Sequence, residues 1–211
     1  MVVLVCASNV DAQTRGRPTT RKPKPVPVQL KTEPAKVTCP ESLGVGVRTG
    51  LSYCFVLAGR EPAQGVLISI PLHTGEATLR FDLHNRHTYS EEQMKAGRGY
   101  ANYTAVIGVL TLDGKLLARA AVQTEFRHAR DLFERISGGA GPGGVKAVAP
   151  VGLEAITIAI PASVSEVSLL GEVLDATTAA GRESAALGRP VAIISNATIE
   201  YRPKPATSRG R

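Results

Sequence analysis

The run Arg80-Phe81-Asp82-Leu83-His84-Asn85-Arg86-His87-Thr88-Tyr89-Ser90-Glu91-Glu92 is the chain's densest group of side chains able to hold a metal or move a proton. Asp82 and His84 stand two apart, so on a strand they project from one face. His87 and Glu91 could fold back beside them from the loop that follows. Imidazole and carboxylate suit a first-row divalent ion, so Asp82, His84, His87 and Glu91 form a candidate metal site, the kind a metal-dependent hydrolase would use. The same residues also fit an ordinary hydrogen-bonded rim where a strand leaves its sheet, and no second carboxylate–histidine set occurs elsewhere. The rim is the preferred reading. In either case polar side chains on loops beside a rigid scaffold are where binding concentrates, and this segment is the first surface to inspect.

Other chemistries fail on spacing. Gly44-Val-Gly46-Val-Arg-Thr-Gly50 has one residue too many for a dinucleotide fingerprint and runs into a strand rather than a helix N-terminus. In Gly138–Lys146, Val145 separates the last glycine from the lysine and no Ser or Thr follows, so the phosphate-cradling loop is not formed. No cofactor is expected. There is no Gly-x-Ser-x-Gly elbow, although a serine and a histidine remote in sequence could still meet.

The elements that must position these residues show a period of two. Val45, Val47, Leu51, Tyr53, Phe55 and Leu57 share one parity, with Gly50 at a bend. Ala77, Leu79, Phe81 and Leu83 point inward while Glu76, Thr78, Arg80, Asp82 and His84 point outward. Thr104–Leu112 is apolar on both faces, which fits a covered central strand or a dimer interface. Asp113-Gly114 then marks a hairpin, because both positions tolerate positive φ. Its return strand carries Leu116, Ala118, Ala120, Val122, Thr124 and Phe126 inward. Leu132, Phe133 and Ile136 predict a short helix over Arg127–Ile136. Strands are predicted over Ala155–Ile160, Val167–Leu174 and Val191–Tyr201, the last with Val191, Ile193, Ala197, Ile199 and Tyr201 on one face. The fold expected is all-β: an antiparallel β-sandwich, Ig-like or similar, of about seven to nine strands over residues 37–201, with one short helix and disordered basic tails.

Charge is segregated to the ends. Residues 1–36 hold seven Lys/Arg against two acids and residues 202–211 four against none, whereas the body holds fourteen basic and sixteen acidic residues. The sequence pI of 9.6 therefore describes two cationic tails on a slightly acidic domain. Residues 13–36 interleave Lys/Arg with proline, favour polyproline II, and read as a linker able to span about 60 Å at about 3.1 Å per residue. The basic groups concerned are Arg15, Arg17, Arg21, Lys22 and Lys24, with Arg202, Lys204, Arg209 and Arg211 in the C-terminal tail. No aromatic residue is interleaved with them, so base stacking is unavailable and sequence-specific nucleic-acid binding is not expected. Non-specific binding remains an alternative.

Residues 1–12 resemble a truncated signal peptide, with Val2–Ala7 as the end of an apolar region and small residues at Val10 and Ala12 before Gln13. Cys6 would leave with that segment, and Cys39 and Cys54 remain as a disulfide candidate. Such a bridge would close a loop of about 15 residues and contribute about 3 kcal/mol. No stretch is long and apolar enough for a transmembrane helix. These features together predict a secreted or periplasmic, non-catalytic binding or structural module of the cell envelope, its tails acting as spacer or tether. Its expected partner is an anionic envelope component or another protein.

Overall fold

The computed structural model describes residues 29–140, 146–184 and 192–204, with backbone alone over 138–140 and 146–149. The signal-like stretch, Arg15, Arg17, Arg21, Lys22, Lys24, Arg209 and Arg211 lie outside the described residues. In chain order the strands begin with β1 (Lys31–Pro34), β2 (Lys36–Thr38), β3 (Ser42–Gly46), β4 (Ser52–Val56), β5 (Val66–Ser69), β6 (Ala77–Asn85) and β7 (His87–Tyr89). The helix α1 (Glu91–Lys95) follows, then β8 (Ala101–Thr111), β9 (Leu116–Phe126), β10 (Leu132–Ala140), β11 (Lys146–Pro150), β12 (Glu154–Ile160), β13 (Glu166–Thr178), β14 (Gly181–Ser184) and β15 (Ala192–Tyr201).

Antiparallel pairing assembles these strands into two sheets. One is nine-stranded, in the order β12-β6-β15-β4-β3-β10-β11-β7 with β1 added to β15; the other is six-stranded, in the order β2-β5-β13-β8-β9 with β14 added to β13. The two sheets enclose one large core in which Leu79, Phe81 and Leu83 of β6 meet Ile107 of β8 and Val122 and Phe126 of β9. The sandwich expected from the alternating pattern is therefore present. Its strands outnumber the seven to nine anticipated because several are three to five residues long, too short to show a period.

The hairpin at Asp113-Gly114 forms as its residues dictate, with Gly114 at φ 84° and Leu110 opposite Leu116. β8 is paired on both sides, to β13 and β9, so Thr104–Leu112 does occupy a central position. Its outer face stays partly open, where Val106 lies opposite Val173 and Leu110 opposite Leu116.

Three expectations are corrected. Arg127–Ile136 is not a helix. Asp131 does cap the start, its Oδ2 accepting from the Arg127 and His128 amides at 2.8 Å, but only one tight turn, Ala129–Asp131, results. Beyond it Leu132–Ala140 becomes β10, because pairing to β11 and β3 outweighs a three-residue stripe too short to stabilise a helix alone. The single α-helix among the described residues lies instead at Glu91–Lys95, where the Ser90 side chain accepts from the Gln93 amide.

The linker ends earlier than residue 36, since Lys31–Pro34 pairs with Thr198–Tyr201 and the Tyr201 hydroxyl donates to Glu33 Oε1 at 2.9 Å. At the other end Arg202 and Lys204 are also held, through Thr74 N–H to Arg202 O and Lys204 N–H to Leu72 O. Finally, β15 does not keep one parity. Asn196 sits at φ 53° and the register with β6 shifts between Ser195 and Thr198, so Ala192 and Ile194 face the large core before the bulge, and Ile199 and Tyr201 after it.

Cys39 and Cys54 form the disulfide, with Cα atoms 5.5 Å apart. Cys39 follows β2 of the six-stranded sheet and Cys54 lies on β4 of the nine-stranded one, so the bridge staples the two layers where the chain crosses between them.

Candidate functional site

The nine-stranded path ends on β7, which continues β6 after the single residue Arg86, so the ladder curls back to the strand it left. Curling closes off the face of β6, β15 and β4 that points away from the large core. A second, smaller core of Leu43, Tyr53, Phe55, Ile136 and Ile193 fills that space. This decides where each residue of the polar run goes.

His84 points away from the large core, as the alternation requires, but it meets the small core instead of solvent. It is 1% exposed, with the Tyr53 and Phe133 rings each 5.5 Å away. Its Nε2 shares a hydrogen bond with Ser195 Oγ at 2.9 Å, and Nδ1 is buried without a partner. Burial pushes its pKa down to about 4, against a smaller upward pull from Asp82. Asp82 itself takes a hydrogen bond from Asn196 Nδ2 at 3.1 Å.

His87 lies one strand further on and turns to the large core. It stacks on Phe126 with ring centres 3.8 Å apart, and its Nδ1 shares a 2.7 Å hydrogen bond with Tyr103 Oη. Burial brings this imidazole down to about 4 and pushes the Tyr103 phenol up to about 12, the latter opposed by Arg86. Glu91 is exposed in the first turn of α1. Asp82, His84, His87 and Glu91 thus go to a bulge, a small core, the large core and a helix start. Among the described residues no three His, Cys, Asp or Glu side chains gather closely enough to hold a metal ion.

The serine–histidine encounter that sequence motifs could not identify does occur, between Ser195 and His84. Ser195 is 4% exposed, neither residue lines a described cavity, and no acid orients His84 Nδ1. A nucleophile needs both access to substrate and an oriented base, so this pair reads as a satisfied interior contact.

What the polar run does build is the wall of a cavity of about 720 Å³, bounded by Arg86 and His87, by Gln93, Met94 and Arg98 around α1, by Tyr100 and Tyr103 at the start of β8, and by Ala176, Thr178, Ala179, Ala180 and Glu183. The Arg86 guanidinium packs 5.4 Å over the Phe55 ring, and its Nε is buried with no partner. Arg98 is exposed and donates through Nε to Gln93 Oε1 at 3.0 Å. Reasoning from sequence located the segment but passed over both arginines, because a guanidinium matches no ligand spacing. The Ser90-x-x-Gln93 cap was the available signal for α1, the element that shapes this wall.

Glu134 also escaped notice. It is 4% exposed, and its carboxylate accepts the amides of Arg48, Thr49 and Arg135 at 3.1, 2.7 and 2.9 Å, fixing the turn between β3 and β4. Those bonds hold its pKa below the usual carboxylate value despite burial.

No protein-family model matches the chain, and no curated protein matches it. Among solved structures it overlaps the catalytic domain of GH87 alpha-1,3-glucanase in complex with nigerose at 11% identity and a TM-score of 0.27, covering 86% of this chain and 28% of that one. It also overlaps the infectious bursal disease virus VP2 subviral particle at 12% identity and a TM-score of 0.23, covering 82% of this chain and 31% of that one. The chain spans less than a third of either, and overlaps this loose say nothing about what it does.

Proposed function

We propose that the protein is a secreted or periplasmic β-sandwich module of the cell envelope that binds or scaffolds rather than catalyses, its basic ends serving as spacer or electrostatic tether. The observation that carries this reading is the Cys39–Cys54 disulfide joining the two sheets, since such bridges persist in oxidising compartments. No helix among the described residues is long and apolar enough to cross a membrane. The polar run supports a binding rather than a catalytic role, because His84 and His87 pack on Phe133 and Phe126 of separate cores while Arg86, with Arg98 beyond the run, lines a cavity that His87 also borders. Charge segregation adds the tether: clustered cations attract anionic surfaces with a strength that salt screens.

The test is retention of the full chain on phosphatidylglycerol vesicles across a salt series. Binding that weakens with salt and vanishes when Arg15, Arg17, Arg21, Lys22, Lys24, Arg209 and Arg211 are changed to Gln supports the tether. Unchanged retention removes it.

A further inference from the structure

We propose that the cavity beside α1 binds a small monocarboxylic acid, with Arg86 and Arg98 gripping the carboxylate and Met94, Tyr100 and Tyr103 receiving an apolar body. This rests on the reading of the protein as a binding module and names the ligand class of its site. Size comes first. At about 720 Å³ the space falls within the roughly 300–1,000 Å³ of small-molecule sites, and its largely polar lining sets Arg86 and Arg98 beside the apolar surfaces of Met94, Tyr100 and Tyr103.

Charge comes second. No acid among the described residues forms a salt bridge with Arg86 or Arg98. Arg86 Nε is buried without a partner and lies out of a ligand's reach, so the contact to an anion comes from the terminal nitrogens of that side chain. The Arg86 guanidinium rests over the Phe55 ring, and the bond from Nε to Gln93 anchors Arg98, whose terminal amino groups have no partner among the described residues. Two pre-positioned planar forks are the arrangement that recognises an oxyanion through paired hydrogen bonds. The Ser90 hydroxyl, also on the wall, is already engaged by the Gln93 amide.

The sum of the wall decides between anions. Arg86 and Arg98 contribute two positive charges, Glu183 one negative charge with a partner of its own, and His87 is neutral near pH 7. A net charge of one suits a monoanion better than a dianionic phosphate. The Tyr100 ring, 40% exposed, offers an apolar surface beside the cations.

The experiment is calorimetric and NMR titration of the full chain with benzoate and hexanoate, against benzamide and inorganic phosphate as neutral and dianionic controls. One carboxylate probe is expected to saturate the site, to perturb Met94 and Tyr100, and to bind at least about tenfold more tightly than benzamide or phosphate. Arg98→Gln, at an exposed position that leaves the fold intact, should weaken that probe by about tenfold or more, and Arg86→Gln likewise in protein that keeps its native spectrum. The proposal is overturned if neither carboxylate binds, if benzamide or phosphate binds equally well, or if Arg98→Gln retains full affinity. Loss of this site with salt-sensitive vesicle retention intact would leave the module reading standing, whereas loss of retention with the carboxylate site intact would remove only the tether.

Discussion

Lowering the pH from 7.5 to 5 should destabilise this protein well before its carboxylates begin to protonate. His84 and His87 are buried as neutral imidazoles, each brought from 6.5 to about 4 by desolvation. In the unfolded chain both would regain a pKa near 6.5. Below that value the unfolded state binds protons the native state refuses, and stability falls with pH until the native pKa near 4 is reached. At pH 5 linkage gives a loss of about 2 kcal/mol per histidine, and about 4 for the pair, from roughly 1.4 kcal/mol per pH unit over the interval. That is a large share of the 5–15 kcal/mol typical of a domain. Carboxylates held low by hydrogen bonds, Asp131 and Glu134 among them, contribute only below their ordinary range near 4. The window between pH 6.5 and 5 therefore isolates the histidines. Urea unfolding at closely spaced pH values measures the loss, and His84→Gln with His87→Gln should flatten the slope while lowering stability at pH 7.5. Stability that stays level from pH 7 to 5, or NMR titration of both imidazoles near 6.5 in the folded protein, would refute burial of neutral histidines as the cause.

Three further outcomes follow from the packing. Reducing Cys39–Cys54, or replacing both with Ser, should cost about 3 kcal/mol in denaturant midpoint analysis, because the bridge closes a loop of 15 residues and joins two sheets. Glu134→Gln should cost about 1–3 kcal/mol by the same measurement, since the three amides it serves lose a charged acceptor; a cost under about 0.5 would mean the turn holds itself. Asn196→Ala should lose about 1 kcal/mol more than Asn196→Gly, because both give up the bond to Asp82 while φ 53° is tolerated by glycine and disfavoured by alanine.

The sequence made the sandwich legible through alternation and one hairpin, and both rest on local physics. Phe81 and Leu83 faced inward because a strand's period is two, and Asp113-Gly114 turned because glycine accepts φ 84°. Alternation could say that His84 points away from the large core. It could not say that Phe133 and Tyr53, tens of residues distant, would cover that face. Arg127–Ile136 misled for a related reason: a three-residue apolar stripe carries little energy beside the ladders that β3 and β11 supply. At the candidate site the segment was visible as a density of polar residues, but its roles inverted. Histidines chosen for their ligand chemistry became interior contacts, and Arg86 and Arg98 became the groups that meet the cavity.

The central claim is a binding module tethered by its ends, and the direct measurement is retention of the full chain on phosphatidylglycerol vesicles as salt is raised, beside the variant with Arg15, Arg17, Arg21, Lys22, Lys24, Arg209 and Arg211 changed to Gln. Retention of the native chain at low salt should fall steeply with ionic strength, and the variant should show none. Equal retention of the two at every salt concentration, or no retention of the native chain at low salt, would contradict that claim.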